Sequence, residues 1–183
     1  LPVSGEIDGL QAICFISETT GFAGGWNDYF IKTTNGGTSW ADVTVGTDIW
    51  YFTDIQFWDE NNGVVSAKMN DGGGKIYVTE DGGDTWSIAT GVTVEVLGLD
   101  YADENTLFAV GIDGKIMKSA NGGTSWSSIY QATGITFGVS FANTNFGVVG
   151  GEDGLIYTTN DGGSTWSDFS TGYHNFWAAC AFE

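Results

Sequence analysis

Thr79-Glu80-Asp81-Gly82-Gly83-Asp84-Thr85-Trp86 is the stretch whose reading decides the fold. The same order of residues returns at 33–40, 119–126 and 159–166: hydroxyl, any residue, Asp or Asn, Gly, Gly, any residue, hydroxyl, Trp. The closing tryptophans stand at 40, 86, 126 and 166, so a longer first interval is followed by two equal ones. Self-similarity at this period marks stacked supersecondary units. The box specifies a hairpin tip. Its Asp or Asn closes a turn on backbone N–H groups ahead of it. The glycine pair supplies positive φ without a Cβ clash, and the Trp opens the return strand with a large apolar face.

Working outward, each box follows a β-rich run: 29–32, 75–78, 115–118 and 155–158. The last two runs come after Asp113-Gly114 and Asp153-Gly154, which are strong hairpin signals. Upstream again lie 21–25, 63–67, 107–111 and 147–151, and before those an alternating strand ending near Phe15, Phe57, Tyr101 or Phe141. Four strands per unit joined by tight turns predict an all-β β-propeller of four-stranded antiparallel blades, one domain over 1–183.

The box resembles the Asp-box (bacterial neuraminidase-type) repeat, S/T-x-D/N-x-G-x-x-W, in all four copies. The whole unit looks most like the photosystem II assembly-factor-like repeat family. The resemblance implies a propeller but no particular reaction, because its members include sialidases, xyloglucanases, sorting receptors and non-enzymatic assembly factors. It implies structural roles for Asn35, Gly37 and Trp40, for Asp81, Gly83 and Trp86, for Asn121, Gly123 and Trp126, and for Asp161, Gly163 and Trp166.

Composition narrows the function. The chain has 29 Gly and 8 Trp, a single Pro, and no amphipathic helical run, all of which suits turn-rich aromatic β-structure. Five Lys, no Arg and 23 acidic residues give a net charge of −18, which repels nucleic-acid phosphates and anionic lipid. No stretch has the apolar length of a membrane span, so membrane insertion is not expected. Loop carboxylates such as Asp71, Asp81 and Asp84 lack EF-hand spacing. One His and two Cys, in no ligand spacing, make metal or cofactor binding unexpected. The chain opens at Leu1 without a signal peptide, as a mature secreted or cell-surface chain would.

The termini repeat each other. Residues 1–16 can be laid on 167–183 so that Gly5 meets Gly172, Ala12 meets Ala179 and Phe15 meets Phe182. Five inner strands are therefore expected against four boxes: four complete blades and a redundant half-blade. The spare half can overlap at the seam of a closed ring, mark a piece of a longer propeller, or complete a neighbouring subunit by strand addition. Cys14 and Cys180 sit near equivalent positions in the first and last inner strands and form a candidate disulfide, within a chain or between chains, if those strands lie side by side.

The obvious chemistries are weak. The sialidase resemblance implies an arginine cluster for a substrate carboxylate, and there is no arginine. A glycosidase needs two carboxylates at a set separation; inner-strand Asp54 and Asp100 are the available pair. His174 stands alone, so no Ser-His-Asp set is credible. The expectation is a non-catalytic extracellular scaffold whose partner is itself, built by exchange of terminal strands into a filament or ring. A carbohydrate-binding or adhesive module is the alternative, with Trp26, Trp50 and Tyr51 as ligand or partner contacts. A fragment of a longer glycoside-hydrolase-like propeller is the second alternative.

Overall fold

The computed structural model describes residues 9–181. It contains four separate four-stranded antiparallel sheets, each built from consecutive strands. The first holds β1 (Ala12–Phe15), β2 (Gly21–Gly24), β3 (Phe30–Thr33) and β4 (Ala41–Asp42). The second holds β5 (Ile49–Phe57), β6 (Gly63–Met69), β7 (Gly74–Thr79) and β8 (Ser87–Ile88). The third holds β9 (Val96–Tyr101), β10 (Leu107–Gly111), β11 (Lys115–Ser119) and β12 (Ser127–Gln131). The fourth holds β13 (Thr136–Phe141), β14 (Gly147–Gly151), β15 (Ile156–Thr159) and β16 (Ser167–Asp168), with one 3₁₀ turn at Glu152–Gly154. The first strands of the four sheets end at Phe15, Phe57, Tyr101 and Phe141, the residues at which the sequence pattern placed them. Consecutive sheets pack with β1 against β5, β5 against β9 and β9 against β13. The arrangement is propeller-like and does not close on itself. The expected fifth inner strand is not a ladder strand among the described residues, and its Phe182, like Gly5 at the other end, lies outside them.

Each box is a hydrogen-bonded knot with the same wiring. The Thr79 hydroxyl accepts the Gly83 N–H at 2.8 Å and donates to Asp81 Oδ1 at 2.9 Å, while Asp81 Oδ1 also accepts the Thr85 N–H at 2.9 Å. The other three copies repeat this within a few tenths of an ångström. The residue choices co-vary for a chemical reason. Where the box carries Asp, the later hydroxyl donates to the carboxylate, as Thr165 does to Asp161 at 2.6 Å. Where it carries Asn, the amide donates to the later hydroxyl, as Asn121 does to Ser125 at 2.9 Å.

A second repeated turn, between the first two strands of each sheet, escaped the sequence reading. Ser17, Asp59, Asp103 and Asn143 each accept N–H groups two and three residues ahead. The first glycine of every box then donates to a carbonyl of this turn: Gly36 to Thr19, Gly82 to Asn61, Gly122 to Asn105 and Gly162 to Asn145, all at 2.8–3.0 Å. Box and turn therefore hold both edges of the sheet together.

The second glycine of the box works between sheets. Gly83, Gly123 and Gly163 have φ of +83°, +91° and +83°. A Cβ on Gly123 would fall 2.6 Å from Val64 Cγ1 of the preceding sheet, and one on Gly83 would fall 2.7 Å from the Phe22 ring. Gly123→Ala should therefore cost about 1–3 kcal/mol through strain and overpacking. A denaturant titration checks this; an unchanged midpoint would mean that the sheets are not packed this tightly.

Candidate functional site

Side-chain acceptors on one inner strand take backbone N–H groups from the next. Asp54 Oδ2 accepts the Leu99 N–H at 2.8 Å, and Asp100 Oδ2 accepts the Phe141 N–H at 2.6 Å. Cys14 plays the same part toward the Phe57 N–H, and burial raises its thiol pKa. Asp54 and Asp100, the glycosidase candidates, are thus committed to holding neighbouring sheets together. Burial raises both, Asp100 to about 6, with the Asp54 charge adding to the shift.

Aromatic and cationic groups complete the same interfaces. Phe57 stacks on Phe22 at 4.6 Å, and Phe141 stacks on Phe108 at 3.6 Å. Lys32 lies over the Phe22 ring and donates to the Gly82 carbonyl at 2.7 Å; Lys118 does likewise with Phe108 and Gly162 at 2.9 Å. The interface between the second and third sheets replaces these with aliphatic Val64 and Val78 around Gly123.

The C-terminal segment continues this pattern by one further step. Gly98 of β9 abuts Phe137 and Gly138 of β13; Gly138 in turn abuts Ala178 and Ala179. Ser140 Oγ accepts the Ala181 N–H at 3.0 Å, repeating the Asp100–Phe141 bond one unit on. Phe176 donates its N–H to the Gly151 carbonyl at 2.9 Å, and Trp177 stacks on Phe137 at 4.3 Å. Residues 178–181 therefore occupy the place of a fifth inner strand, without second-strand pairing among the described residues.

Among the described residues both ends of the array are bare. Ile13 is 63 % exposed, whereas its counterparts Ile55, Leu99 and Val139 are 2 %, 2 % and 7 % exposed because a preceding sheet covers them. Phe15 is exposed at this same end, and Phe169, Tyr173, Phe176 and Trp177 are exposed at the other. Gly37, unlike the equivalent glycines, meets only Trp40 and Phe15 of its own sheet. Within the single chain Cys14 and Cys180 are both free, and their segments lie at opposite ends of the open array rather than side by side.

The three aromatic candidates do come together. Trp26 lies 4.7 Å from Tyr51 and 5.7 Å from Trp50, ring centroid to centroid. The Trp26 turn is fixed on β5, with the Asn27 N–H bonded to the Trp50 carbonyl and the Phe52 N–H to the Gly25 carbonyl. Below the cluster, the Tyr51 hydroxyl donates to Glu95 Oε1 at 2.5 Å, and Lys68 pairs with Glu95 Oε2 at 2.7 Å. Glu95 is 6 % exposed. Burial and the Glu95 contact push the Tyr51 phenol up to about 12. Sequence gave no signal for Glu95, because only the packing of the third sheet on the second brings it to Tyr51. The long β5 and the β6–β7 hairpin absorb the longer first interval between tryptophans. Among the described residues no His, Cys, Asp and Glu group has metal-holding geometry, and no helix is long and apolar enough to cross a membrane.

Fold and interfaces together are propeller-like, and solved structures share that fold. The chain is similar to an ancestral GH74 enzyme (TM-score 0.70, 16 % identity, 86 % of this chain and 23 % of that one). It is similar to YCF48 from Cyanidioschyzon merolae (TM-score 0.69, 19 % identity, 91 % and 57 %) and to U3-55K (TM-score 0.74, 11 % identity, 90 % and 53 %). It thus spans about a quarter of the first of these chains and little more than half of the other two. At these identities the likeness is one of fold. No protein-family model matches the sequence, and no curated protein matches it.

The opposite shifts of two kinds of carboxylate fix the pH response. Asp100, raised to about 6, takes up a proton more readily in the folded state, so stability rises as pH falls from 6 toward the unfolded value near 3.8. Asp81 is lowered to about 2 by the Thr85 hydroxyl, the Thr85 N–H and the Thr79 hydroxyl, so its contribution is lost as pH falls from 3.8 through 2. The melting temperature should therefore peak between about pH 4 and 5. Asp100→Asn, which keeps an oxygen for the Phe141 N–H, should flatten the limb between pH 7 and 5. A limb identical to the wild type would show that Asp100 does not carry it.

Proposed function

We propose that this chain is a non-catalytic, extracellular or cell-surface scaffold that associates with copies of itself head to tail through its two bare ends. The observation that supports this most is the contrast between Ile13 and its three buried counterparts. The first sheet carries the same inward-facing pattern as the others and, among the described residues, has nothing to bury it against. Covering Ile13 and Phe15 would contribute about 1.5–3 kcal/mol each, and exposed apolar ends of this kind mark interaction sites. A head-to-tail contact is heterologous, so it yields a ring or an open filament. A net charge of −18 opposes the contact, so association should strengthen as salt screens it.

Light scattering on the 183-residue chain tests this proposal. Particles larger than one chain are expected, growing with concentration and salt, and Ile13→Asp should return them to monomers. Ile88→Asp, at an exposed site on the outer strand β8, should not. A wild-type chain that stays monomeric under all these conditions contradicts the reading.

A second reading is favoured by the assembled Trp26, Trp50 and Tyr51 cluster, whose exposed Trp50 ring suits stacking against a sugar face. In that reading the chain is a carbohydrate-binding or adhesive module, and Trp50→Ala should abolish signals on a glycan array without changing the melting temperature. Retained glycan binding would exclude Trp50 as the contact. In the third reading the missing sheets lie on the same polypeptide, as the short coverage of GH74- and YCF48-sized chains allows, and the coding sequence then runs on past Glu183.

A further inference from the structure

Resting on the self-association proposed above, we propose that residues 173–181 are a strap lying over the face where a second copy docks, and that association lifts it. The seat is the outer side of β13 and β14. Its occupant is the first sheet of another copy, taken in whole with β1 still paired to β2.

The fit of the strap is the first observation. It makes the backbone contacts of an inner strand without the side-chain contacts. In two existing interfaces the Cys14 and Asp100 side chains accept the N–H groups of Phe57 and Phe141, whose rings then stack on Phe22 and Phe108. At the last sheet Ser140 Oγ accepts the N–H of Ala181, so an alanine holds the place of the aromatic. The second-strand residues opposite Cys14, Gln56, Asp100 and Ser140 are Phe22, Val64, Phe108 and Val148. The first three are fully buried, whereas Val148 is only partly covered.

The second observation is how lightly the strap is held. Besides the Ala181 bond, the Phe176 N–H donates to the Gly151 carbonyl at 2.9 Å, Asn175 Oδ1 accepts the Asp153 N–H at 3.0 Å, and the Trp177 ring rests on Phe137. Among the described residues the strap belongs to no sheet, and Tyr173, Phe176 and Trp177 stay exposed on it. Segments with so few buried apolar contacts open at low cost.

The third observation is that the first sheet is already shaped for the seat. Phe15 stands edge-on to Trp40 at 6.0 Å, as Phe57 does to Trp86 at 6.1 Å and Phe141 to Trp166 at 6.3 Å. The ring is thus held, before any contact, in the orientation that the buried interfaces use, which lowers the cost of docking. Gly37 has only Trp40 and Phe15 near it and leaves room for Val148, as Gly123 does for Val64. Seated there, the second copy would give the Phe15 N–H to Ser140 Oγ, lay Phe15 and Gly37 on Val148, and bury Ile13. The incoming sheet loses nothing, because β1 stays on β2 and Cys14 keeps the Phe57 N–H. Lifting the strap exchanges light contacts around an alanine for the burial of three apolar side chains.

Full-length variants altered only in the strap test this. Ala181→Pro removes the N–H that Ser140 holds, and Trp177→Ala removes the ring from Phe137; neither touches the seat or the first sheet. Together they should tighten association roughly tenfold or more in concentration-dependent light scattering, and Ile13→Asp added to them should abolish it. Amide hydrogen exchange on the wild-type chain, in dilute and in associated samples, is the second measurement. On association the Phe176 and Ala181 amides should lose protection, the Phe15 amide should gain it, and the β1–β2 ladder should stay protected. Phe176 and Ala181 amides equally protected in both samples, or association unchanged or weakened in the strap variants, would overturn the strap and leave self-association standing. A chain that stays monomeric with and without these substitutions would remove both.

Discussion

A single kind of bond sets the architecture: a side-chain acceptor on one inner strand holding the backbone N–H of the next. Inner strands of adjacent sheets share no backbone ladder, so without such bonds their facing N–H groups would be buried and unpaired, at a cost of about 1–3 kcal/mol each. Cys14, Asp54, Asp100 and Ser140 supply the acceptors in turn. Their chemistry differs, from thiol to carboxylate to hydroxyl, yet each meets the same geometric demand. The carboxylates bear an electrostatic cost for it, since burial raises both.

The knots at the hairpin tips serve the same end. Each box ties the third and fourth strands of its own sheet and leans through its first glycine on the first turn, and the last three present their second glycine to the sheet before them. The lysines are drawn into this work as well. Lys32 and Lys118 reach across interfaces to glycine carbonyls, and Lys68 neutralises a buried Glu95. With so few cations and several of them engaged internally, the surface carries the excess of carboxylates, which explains how so acidic a chain can still be tightly packed.

Much of this was legible in the sequence because it is local. The box, the Asp113-Gly114 and Asp153-Gly154 turns, and the aromatic ends of the inner strands all depend on residues a few places apart. What was not legible depends on register between sheets. Asp54 and Asp100 read as a possible catalytic pair until the N–H groups of Leu99 and Phe141 were seen against them. The turn at Ser17, Asp59, Asp103 and Asn143 was missed because three residue types share one role. The overlap of the termini was visible as a repeat, but whether it brings Cys14 beside Cys180 within one chain depends on ring closure, and the array is open. Trp26, Trp50 and Tyr51 were named singly; that they form one cluster above a Tyr51–Glu95–Lys68 network is a tertiary fact.

The central claim is that the array has two unfinished interfaces which copies of the chain complete for one another. Electron micrographs of the purified protein test it most directly, because sheets can be counted around each particle. The account predicts discs or strings containing more than four blades, in multiples contributed by whole chains. Particles that remain isolated four-bladed units at every concentration would contradict it.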